Sequence, residues 1–302
     1  MFPDFLGIGA HKAGTTWLDV NLREHPQIWM PPVKGVHFFD HPSSTLRKRL
    51  FERKDYQKAA RGQVLQTLAT FPRDRNWASL SWSLHYWLGA RGDDWYRSLF
   101  AHRDGCVTGE VTPSYAHLSE ERIRHLHERM PTIRIIYLLR NPIDRAWSNA
   151  AMHLRKLPNN GSDRVSDDWI LANLGRQKMI DRADYLRNLQ RWERHVGRDR
   201  IFVGFFDQLE RDPAGLLKAV FEFLGVGSTP EFIPPTVAVK RNAGGPSGVP
   251  MRFRAILARL HHEHIAAVHA HLDNSYTKAW LDSATDYLAT ESAATEAAAG
   301  AR

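Results

Sequence analysis

Short apolar runs alternate with longer amphipathic stretches along most of the chain. The strand-like runs lie at 5–9, 106–110, 133–139 and 201–206. Apolar residues recur at helical spacing at 15–25, 119–129, 142–156, 181–196, 213–224 and 251–271. Strands that alternate with helices are typical of a parallel sheet covered by helices on its faces. The pattern therefore predicts an α/β fold with a parallel sheet.

The stretch 41–105 fits this alternation poorly. It is rich in basic residues and in aromatic residues, namely Trp77, Trp82, Tyr86, Trp87, Trp95 and Tyr96. We interpret it as a mainly helical insertion or lid, whose aromatic side chains either fill a second hydrophobic patch or shape a binding site. We predict that 1–290 forms a single domain and that 291–302 is a disordered tail.

Composition limits the partners and the compartment that we expect. The chain has 302 residues and a formal net charge of +8, which favours an anionic ligand such as a polyphosphorylated nucleotide, an acidic sugar or nucleic acid. No apolar run approaches the roughly 20 residues of a membrane span, and the early strand leaves no room for a signal peptide. The single cysteine, Cys106, cannot form an internal disulfide. A cytoplasmic protein without a membrane span is therefore expected.

The first strand leads directly into a loop of small residues that precedes a helix. This loop reads Gly9-Ala10-His11-Lys12-Ala13-Gly14-Thr15-Thr16. Backbone N–H groups at a helix start, together with the positive end of the helix dipole, form an anion site. The glycines have the spacing of the pattern GxxxxGK[ST], but Thr15 stands where that pattern has lysine, and the lysine lies inside the loop as Lys12. This displacement disfavours a kinase or an ATPase, which needs the lysine on the outer phosphates.

The segment FLGIGAHKAGTTWL resembles the 5′-phosphosulfate loop of sulfotransferases that use 3′-phosphoadenosine 5′-phosphosulfate (PAPS). The resemblance implies a P-loop-like parallel sheet flanked by helices, and transfer of a sulfuryl group to a hydroxyl or an amine. It also implies that Lys12 contacts the bridging oxygen and the sulfuryl group. The residues that it assigns to the donor at this loop are His11, Lys12, Ala13, Gly14, Thr15 and Thr16.

Two further segments match the same family in the expected order. Arg140 follows the strand at 133–139 and Ser148 lies eight residues later, as do the arginine and serine that bind the 3′-phosphate in the family. A guanidinium is permanently charged, which suits it to phosphate recognition. Lys240, Arg241 and Asn242 precede a glycine-rich loop where family members close a basic segment over the nucleotide, although a solvated basic turn is an alternative.

The position of the expected catalytic base departs from the family pattern. The segment PVKGVHFFD resembles the region that carries a catalytic glutamate in heparan-type and many bacterial sulfotransferases, but Gly35 stands at the glutamate position. A neutral imidazole can accept a proton at physiological pH, so His37 is one candidate base. Glu110 is the second, or else it holds Lys12 or a loop backbone. The family often has lysine after this glutamate, where the chain has Val111.

We therefore predict a PAPS-dependent sulfotransferase that requires no metal. Its expected acceptor is a small molecule or a glycan, and nucleic acid is not expected as a partner. Two alternatives stay open at this level: a P-loop kinase of small molecules, and a non-catalytic binder of nucleotides or polyanions, which Gly35 favours.

Overall fold

The structure, a computed structural model, describes residues 1–40, 77–101, 105–155, 166–240 and 248–300. In these ranges five strands form one parallel sheet in the order β2-β3-β1-β4-β5. The strands are β1 (Phe5–Gly9), β2 (Ile28–Trp29), β3 (Val107–Val111), β4 (Arg134–Leu139) and β5 (Ile201–Phe205). The predicted α/β class is confirmed, and the four longer strands lie within a residue of their predicted positions.

Helices cover the sheet and extend beyond it at the carboxyl end of the chain. They are α1 (Thr15–Arg23), α2 (Trp77–Leu88), α3 (Asp93–Ser98), α4 (Glu120–Arg129), α5 (Pro142–Leu154), α6 (Asp167–Leu174), α7 (Gln177–Asp181), α8 (Tyr185–Val196), α9 (Phe206–Arg211), α10 (Pro213–Leu224), α11 (Met251–Leu272) and α12 (Ser275–Gly300). Short 3₁₀ turns occupy Pro113–His117, Arg198–Arg200 and Pro230–Phe232. No helix among the described residues is both long enough and apolar enough to cross a membrane.

Local side-chain chemistry sets the helix starts nearest the sheet. The Asn141 side chain accepts a hydrogen bond from the N–H of Ile143 at 3.0 Å, and Pro142 occupies the first turn of α5. The predicted helix at 181–196 begins later in the structure, because α7 ends at Asp181 and α8 begins at Tyr185. The Asp184 side chain accepts from the N–H of Arg187 at 3.0 Å, and this cap begins α8 anew after α7 has ended.

The hydrophobic core has two parts. The larger lies around the sheet, where every residue of β1 is buried. The smaller joins the segment after β2 to the described part of the insertion, and its buried members are Val33, Val36, Phe38, Trp82, Tyr86, Trp87, Trp95, Tyr96, Leu99 and Phe100. Five of the insertion aromatics therefore fill a second hydrophobic patch. The rest of the predicted insertion or lid, residues 41–76 and 102–104, lies outside the described residues.

The end of the chain differs from the sequence-based expectation. We expected a disordered tail at 291–302, whereas α12 continues to Gly300. The residues after Glu291 are mostly alanine, which has the highest helix propensity, and this composition explains why the helix continues.

Candidate active site

The loop between β1 and α1 lies at the carboxyl edge of the sheet, against β4. The N–H of Ala10 donates to the carbonyl of Leu138 at 2.6 Å. Gly14 has a φ of 86° and precedes α1, and a Cβ at this position would lie 2.6 Å from Leu209 Cδ2. No side chain caps α1, and its first turn holds no acidic residue. The N–H groups of that turn are therefore arranged to bind an anion.

Lys34 approaches this loop from the segment after β2. Its Nζ donates to Thr16 Oγ1 at 2.7 Å, and burial lowers the pKa of Lys34 to about 8. The ammonium thus stands beside the first turn of α1, where the predicted donor-binding residues Thr15 and Thr16 lie. Lys34 was not among the residues predicted for the site, because no local pattern indicates that the chain returns to α1 after the two-residue strand β2.

Arg140 contacts both the loop after β1 and α9, the helix that follows β5. Its Nη1 donates to the carbonyl of Lys12 at 3.2 Å, and its guanidinium carbon lies 4.2 Å from the centre of the Phe206 ring on α9. Ser148 is half-buried on α5, the helix that begins two residues after Arg140. The residues predicted to contact the 5′ and 3′ phosphate groups therefore follow two adjacent strands, β1 and β4.

The segment before Lys240 lies against the first helix. Trp17 Nε1 on α1 donates to the carbonyl of Val237 at 2.7 Å. Lys240 follows three residues later and is exposed. Arg241 and Asn242, the other two residues predicted to close over the nucleotide, lie outside the described residues.

His37 forms a compact polar group with Asp40 and Ser114. The His37 Nδ1 atom lies 2.7 Å from Asp40 Oδ2, and the Ser114 hydroxyl donates to the same oxygen at 2.5 Å. A carboxylate only accepts hydrogen bonds, so Nδ1 carries the proton and Nε2 is the basic nitrogen of the neutral ring. Asp40 and Ser114 were not among the residues predicted for the site. The spacing of His37 and Asp40, three residues apart in HFFD, is the signal that could have indicated the pair.

Gly35 has a conformation that suits glycine and is in close contact with the His37 ring. Its φ is 77°, and a Cβ at this position would lie 3.1 Å from His37 Nε2 and 3.2 Å from Cδ2. The imidazole therefore occupies the space beside the position where the family resemblance predicted a glutamate side chain.

Glu110, the second candidate base, is enclosed by hydrogen-bond donors. It belongs to β3, is 1% exposed, and accepts four hydrogen bonds. The donors are the N–H of Val36 at 3.0 Å, the Thr112 hydroxyl at 2.6 Å, the Tyr96 hydroxyl at 2.6 Å and the Tyr115 hydroxyl at 3.0 Å. Burial raises the pKa of Glu110, and the hydrogen bonds oppose that shift. The carboxylate therefore holds the backbone of the segment that carries His37.

His11, predicted to contact the donor, lies among basic side chains. Burial lowers its pKa to about 3, and the positive charges of Arg182, His117, His37 and Arg145 act in the same direction. In the described part of the chain, no group of three or more His, Cys, Asp or Glu residues is arranged to hold a metal ion.

Comparisons with known proteins identify relatives of this chain. A family model described as "Sulfotransferase family" matches residues 3–230. The human heparan sulfate glucosamine 3-O-sulfotransferase 6 is 32% identical over 236 residues, which are 74% of this chain and 53% of that protein. The mouse protein of the same name is 31% identical over 45% of this chain and 40% of its own length. The chain thus spans about half the length, or less, of these curated relatives.

Solved structures give the same architecture. A sulfotransferase from Alicyclobacillus acidocaldarius superposes with a TM-score of 0.61 at 25% identity, over 93% of this chain and 99% of that one. A mouse sulfotransferase solved in complex with PAP superposes with a TM-score of 0.50 at 16% identity, over 94% of this chain and 89% of that one, which shows a shared fold. The family predicted from the loop sequence is confirmed: this chain belongs to the sulfotransferase family.

Proposed function

We propose that this protein transfers a sulfuryl group from PAPS to a hydroxyl or an amine of an acceptor. The observation that carries the proposal is the phosphate loop, which combines an uncapped helix start at Gly14 with Lys12 inside the loop and Lys34 beside it. Fixed N–H groups and two ammonium groups suit a 5′-phosphate that bears one further anionic group. Membership of the sulfotransferase family and a solved neighbour that holds PAP support the same donor.

The residues around the loop fit the two ends of this nucleotide. The loop His11–Thr16 and Lys34 would hold the 5′-phosphosulfate, and Arg140 and Ser148 would hold the 3′-phosphate, with Lys240, Arg241 and Asn242 closing over it. PAPS supplies the sulfuryl group, which is bound through oxygen to its 5′-phosphate. Lys12 would stabilise the negative charge that develops on the bridging oxygen, so no metal ion is needed for this role.

His37 is the base in this proposal. Asp40 holds Nδ1–H, so Nε2 accepts the proton of the acceptor hydroxyl as the new oxygen–sulfur bond forms. The bond between sulfur and the bridging oxygen breaks in the same displacement, and its electron pair stays on the 5′-phosphate of adenosine 3′,5′-bisphosphate. Glu110 acts as a positioning residue, because its hydrogen bond to Val36 fixes the backbone next to His37.

The acceptor in this proposal is a glycan. The relatives named as heparan sulfate glucosamine 3-O-sulfotransferases support this class, and the net charge of +8 suits an acidic chain. The cytoplasmic location expected from the sequence stays a prediction.

Binding and transfer assays on four variants test the proposal. In calorimetry without magnesium, the wild-type protein should bind adenosine 3′,5′-bisphosphate. In a transfer assay, it should transfer the labelled sulfuryl group of PAPS to glycan acceptors. Lys12→Ala and His37→Ala should each lower turnover by about 10²-fold or more, because each removes a group that acts on the reacting atoms. The matched controls are Lys218→Ala on α10 and His125→Ala on α4, both exposed residues that should leave turnover within about twofold.

Two results would contradict the assignment. If magnesium-ATP bound and adenosine 3′,5′-bisphosphate did not, the donor would be wrong and a kinase would be favoured. If transfer occurred and His37→Ala retained normal turnover, the donor would stand and the base would be wrong.

A further inference from the structure

The segment that carries the proposed base has no regular secondary structure and includes a strained residue. Residues 35–40 belong to no helix or strand. His37 has a φ of 54°, a left-handed conformation that is uncommon for residues other than glycine. Such a conformation persists only where the surrounding groups hold it in place. The groups that hold this segment therefore decide whether the His37 ring meets Asp40.

Arg122, in the first turn of α4, contacts the backbone on both sides of Asp40. Its Nη1 donates to the carbonyl of Phe39 at 3.3 Å and to the carbonyl of Asp40 at 3.2 Å. These carbonyls belong to the two peptide groups that flank the Asp40 Cα atom. Because peptide groups are planar, two fixed carbonyls leave the bond from Cα to Cβ little freedom to turn. Arg122 therefore sets the direction in which the Asp40 side chain leaves the backbone.

Helix α4 gives Arg122 a fixed position. The Ser119 side chain caps the helix and accepts from the N–H of Arg122 at 3.4 Å. Ile123, the next residue, is fully buried in the core. At the other end of the helix, Arg129 Nε lies 2.6 Å from Asp93 Oδ2 on α3. The backbone from which the Arg122 side chain extends is therefore held at both ends of α4.

Asp40 in turn decides which ring nitrogen of His37 carries the proton. Its Oδ2 lies 2.7 Å from Nδ1 and accepts a hydrogen bond from the Ser114 hydroxyl at 2.5 Å. A neutral imidazole carries one proton, on either nitrogen. With the carboxylate displaced, that proton is free to reside on Nε2, which then cannot accept a proton from the acceptor. The direction of the Asp40 side chain is therefore a condition for His37 to act as the base.

We propose that Arg122 is a positioning residue for sulfuryl transfer, which holds the peptide groups around Asp40 so that the carboxylate stays on His37 Nδ1. Nε2 is then kept as the basic nitrogen. This proposal rests on the proposed function, in which His37 accepts the proton of the acceptor. Arg122 acts only through Asp40 and contacts neither the donor nor the reacting atoms.

The kinetic test uses Arg122→Met, which removes the hydrogen-bond donors and keeps most of the length of the side chain. We expect kcat to fall about tenfold, because the base loses its orientation. The KM for PAPS and the Kd for adenosine 3′,5′-bisphosphate should stay within about twofold, because the phosphate loop is unchanged. The matched control is Arg124→Met, which removes an exposed arginine of the same helix that lies 4.0 Å from Glu128. This control should leave kcat unchanged.

A second measurement does not depend on activity. A two-dimensional ¹H–¹⁵N spectrum of protein labelled in its histidine rings shows which nitrogen of a neutral ring carries the proton. The His37 signals, assigned by their loss in His37→Ala, should show the proton on Nδ1 in the wild type and in Arg124→Met. Arg122→Met should move a fraction of the proton to Nε2, as Asp40→Ala should. Arg122 is exposed, so the variant is expected to fold.

The possible outcomes separate the positioning role from the proposed function. An unchanged His37 spectrum in Arg122→Met would overturn the proposal, whether kcat falls or not. A changed spectrum with normal kcat would show that Arg122 places Asp40 but would refute His37 as the base, and with it a role of Arg122 in transfer. A changed spectrum in a protein that transfers no sulfuryl group to any acceptor would support the contact with Asp40 and refute the proposed function.

Discussion

At the scale of single residues, the position of the His37 ring depends on the absence of a side chain at Gly35. A side chain at position 35 would have to adopt a φ of 77° and would meet the His37 ring at 3.1 Å. The ring cannot easily move away, because Asp40 and Ser114 both contact its Nδ1 atom. The glycine that removes the expected carboxylate therefore also makes the room in which the imidazole lies. In the proposed mechanism, the glycine at the glutamate position therefore makes room for the candidate base His37.

Lys34 gives the site a dependence on pH. Because burial lowers the pKa of Lys34 from 10.5 to about 8, its ammonium loses its proton as the pH rises through about 8. An anion beside Thr16 binds best while that ammonium is charged. We expect the affinity for adenosine 3′,5′-bisphosphate, measured by calorimetry, to fall about tenfold between pH 7 and pH 9. Lys34→Met should bind more weakly at pH 7 and show no such fall.

The protein without nucleotide should show the opposite trend in stability. Lys34 has a lower pKa in the folded chain than in the unfolded chain, so its charge destabilises the fold below about pH 8. That cost should diminish as the pH rises from about 8 towards 10.5. The free energy of unfolding of the wild type, relative to Lys34→Met, should therefore increase over this range. An identical pH dependence in the two proteins would contradict the proposed burial of a charged lysine.

At the scale of elements, the described part of the insertion supports the segment that carries His37. Arg91, between α2 and α3, donates to the carbonyls of Val36 and His37 at 3.3 Å each. The Tyr96 ring on α3 stacks on Phe38 with ring centres 4.5 Å apart. The Tyr96 hydroxyl donates to Glu110, which in turn holds Val36. The insertion helices thus act on the candidate base through its backbone.

Tyr96→Phe tests this support with the loss of one oxygen. The change leaves a buried carboxylate with three donors, which should destabilise the fold by about 1–2 kcal/mol and loosen the His37 segment. We expect kcat to fall about tenfold, while the affinity for adenosine 3′,5′-bisphosphate stays constant. Tyr276→Phe on α12 is the control for a lost hydroxyl and should leave kcat unchanged. A loss of stability in Tyr96→Phe with normal kcat would mean that Tyr96 is purely structural.

The sequence predicted the elements whose signals are local. The four longer strands are apolar runs, and Pro142 after Asn141 marks the start of α5. The two-residue β2 has no periodicity to detect, and the break before α8 depends on one cap at Asp184. The loop residues around Lys12 were predictable because an anion site is built from consecutive residues.

The rest of the candidate site was not predictable in this way, because it depends on contacts between distant segments. Glu110 and Val36 are 74 residues apart, and Tyr96 reaches Glu110 from another helix. Arg145 has no sequence signal that distinguishes a buried guanidinium from an exposed one on an amphipathic helix. Only the packing of α5 against its neighbours decides that question.

At the scale of the whole molecule, the two carboxyl-terminal helices join the same core as the sheet. They lie beyond residues 3–230, the part matched by the family model. Trp280 on α12 is 2% exposed and donates to the Asp207 carboxylate on α9 at 3.1 Å. Tyr276 stacks on Phe205, the last residue of β5, with ring centres 4.9 Å apart. These contacts support the prediction that 1–290 folds as one domain.

Truncations and Trp280 variants test whether α12 belongs to the cooperative unit. Removal of 275–302 deletes Trp280 and the buried Ala284 and uncovers Phe205, so we expect the chain to lose cooperative unfolding in urea. Removal of 292–302 keeps both residues and should leave the midpoint nearly unchanged. Trp280→Phe, which loses the bond to Asp207 and part of the buried ring, should cost about 1–3 kcal/mol, whereas Trp280→Ala should cost about 3–5 kcal/mol because it leaves a larger cavity.

Bound nucleotide distinguishes damage to the fold from damage to the site in these variants. Adenosine 3′,5′-bisphosphate at 100 times its Kd should add about 2.7 kcal/mol to the free energy of unfolding of any variant whose phosphate loop is intact. Trp280→Ala should gain this full increment despite its lower stability, because Trp280 contacts Asp207 on α9 and Phe205 on β5, and neither residue belongs to the loop at Lys12. A smaller increment in Trp280→Ala would show that α12 also supports the nucleotide site, through the Phe206 side chain that underlies Arg140.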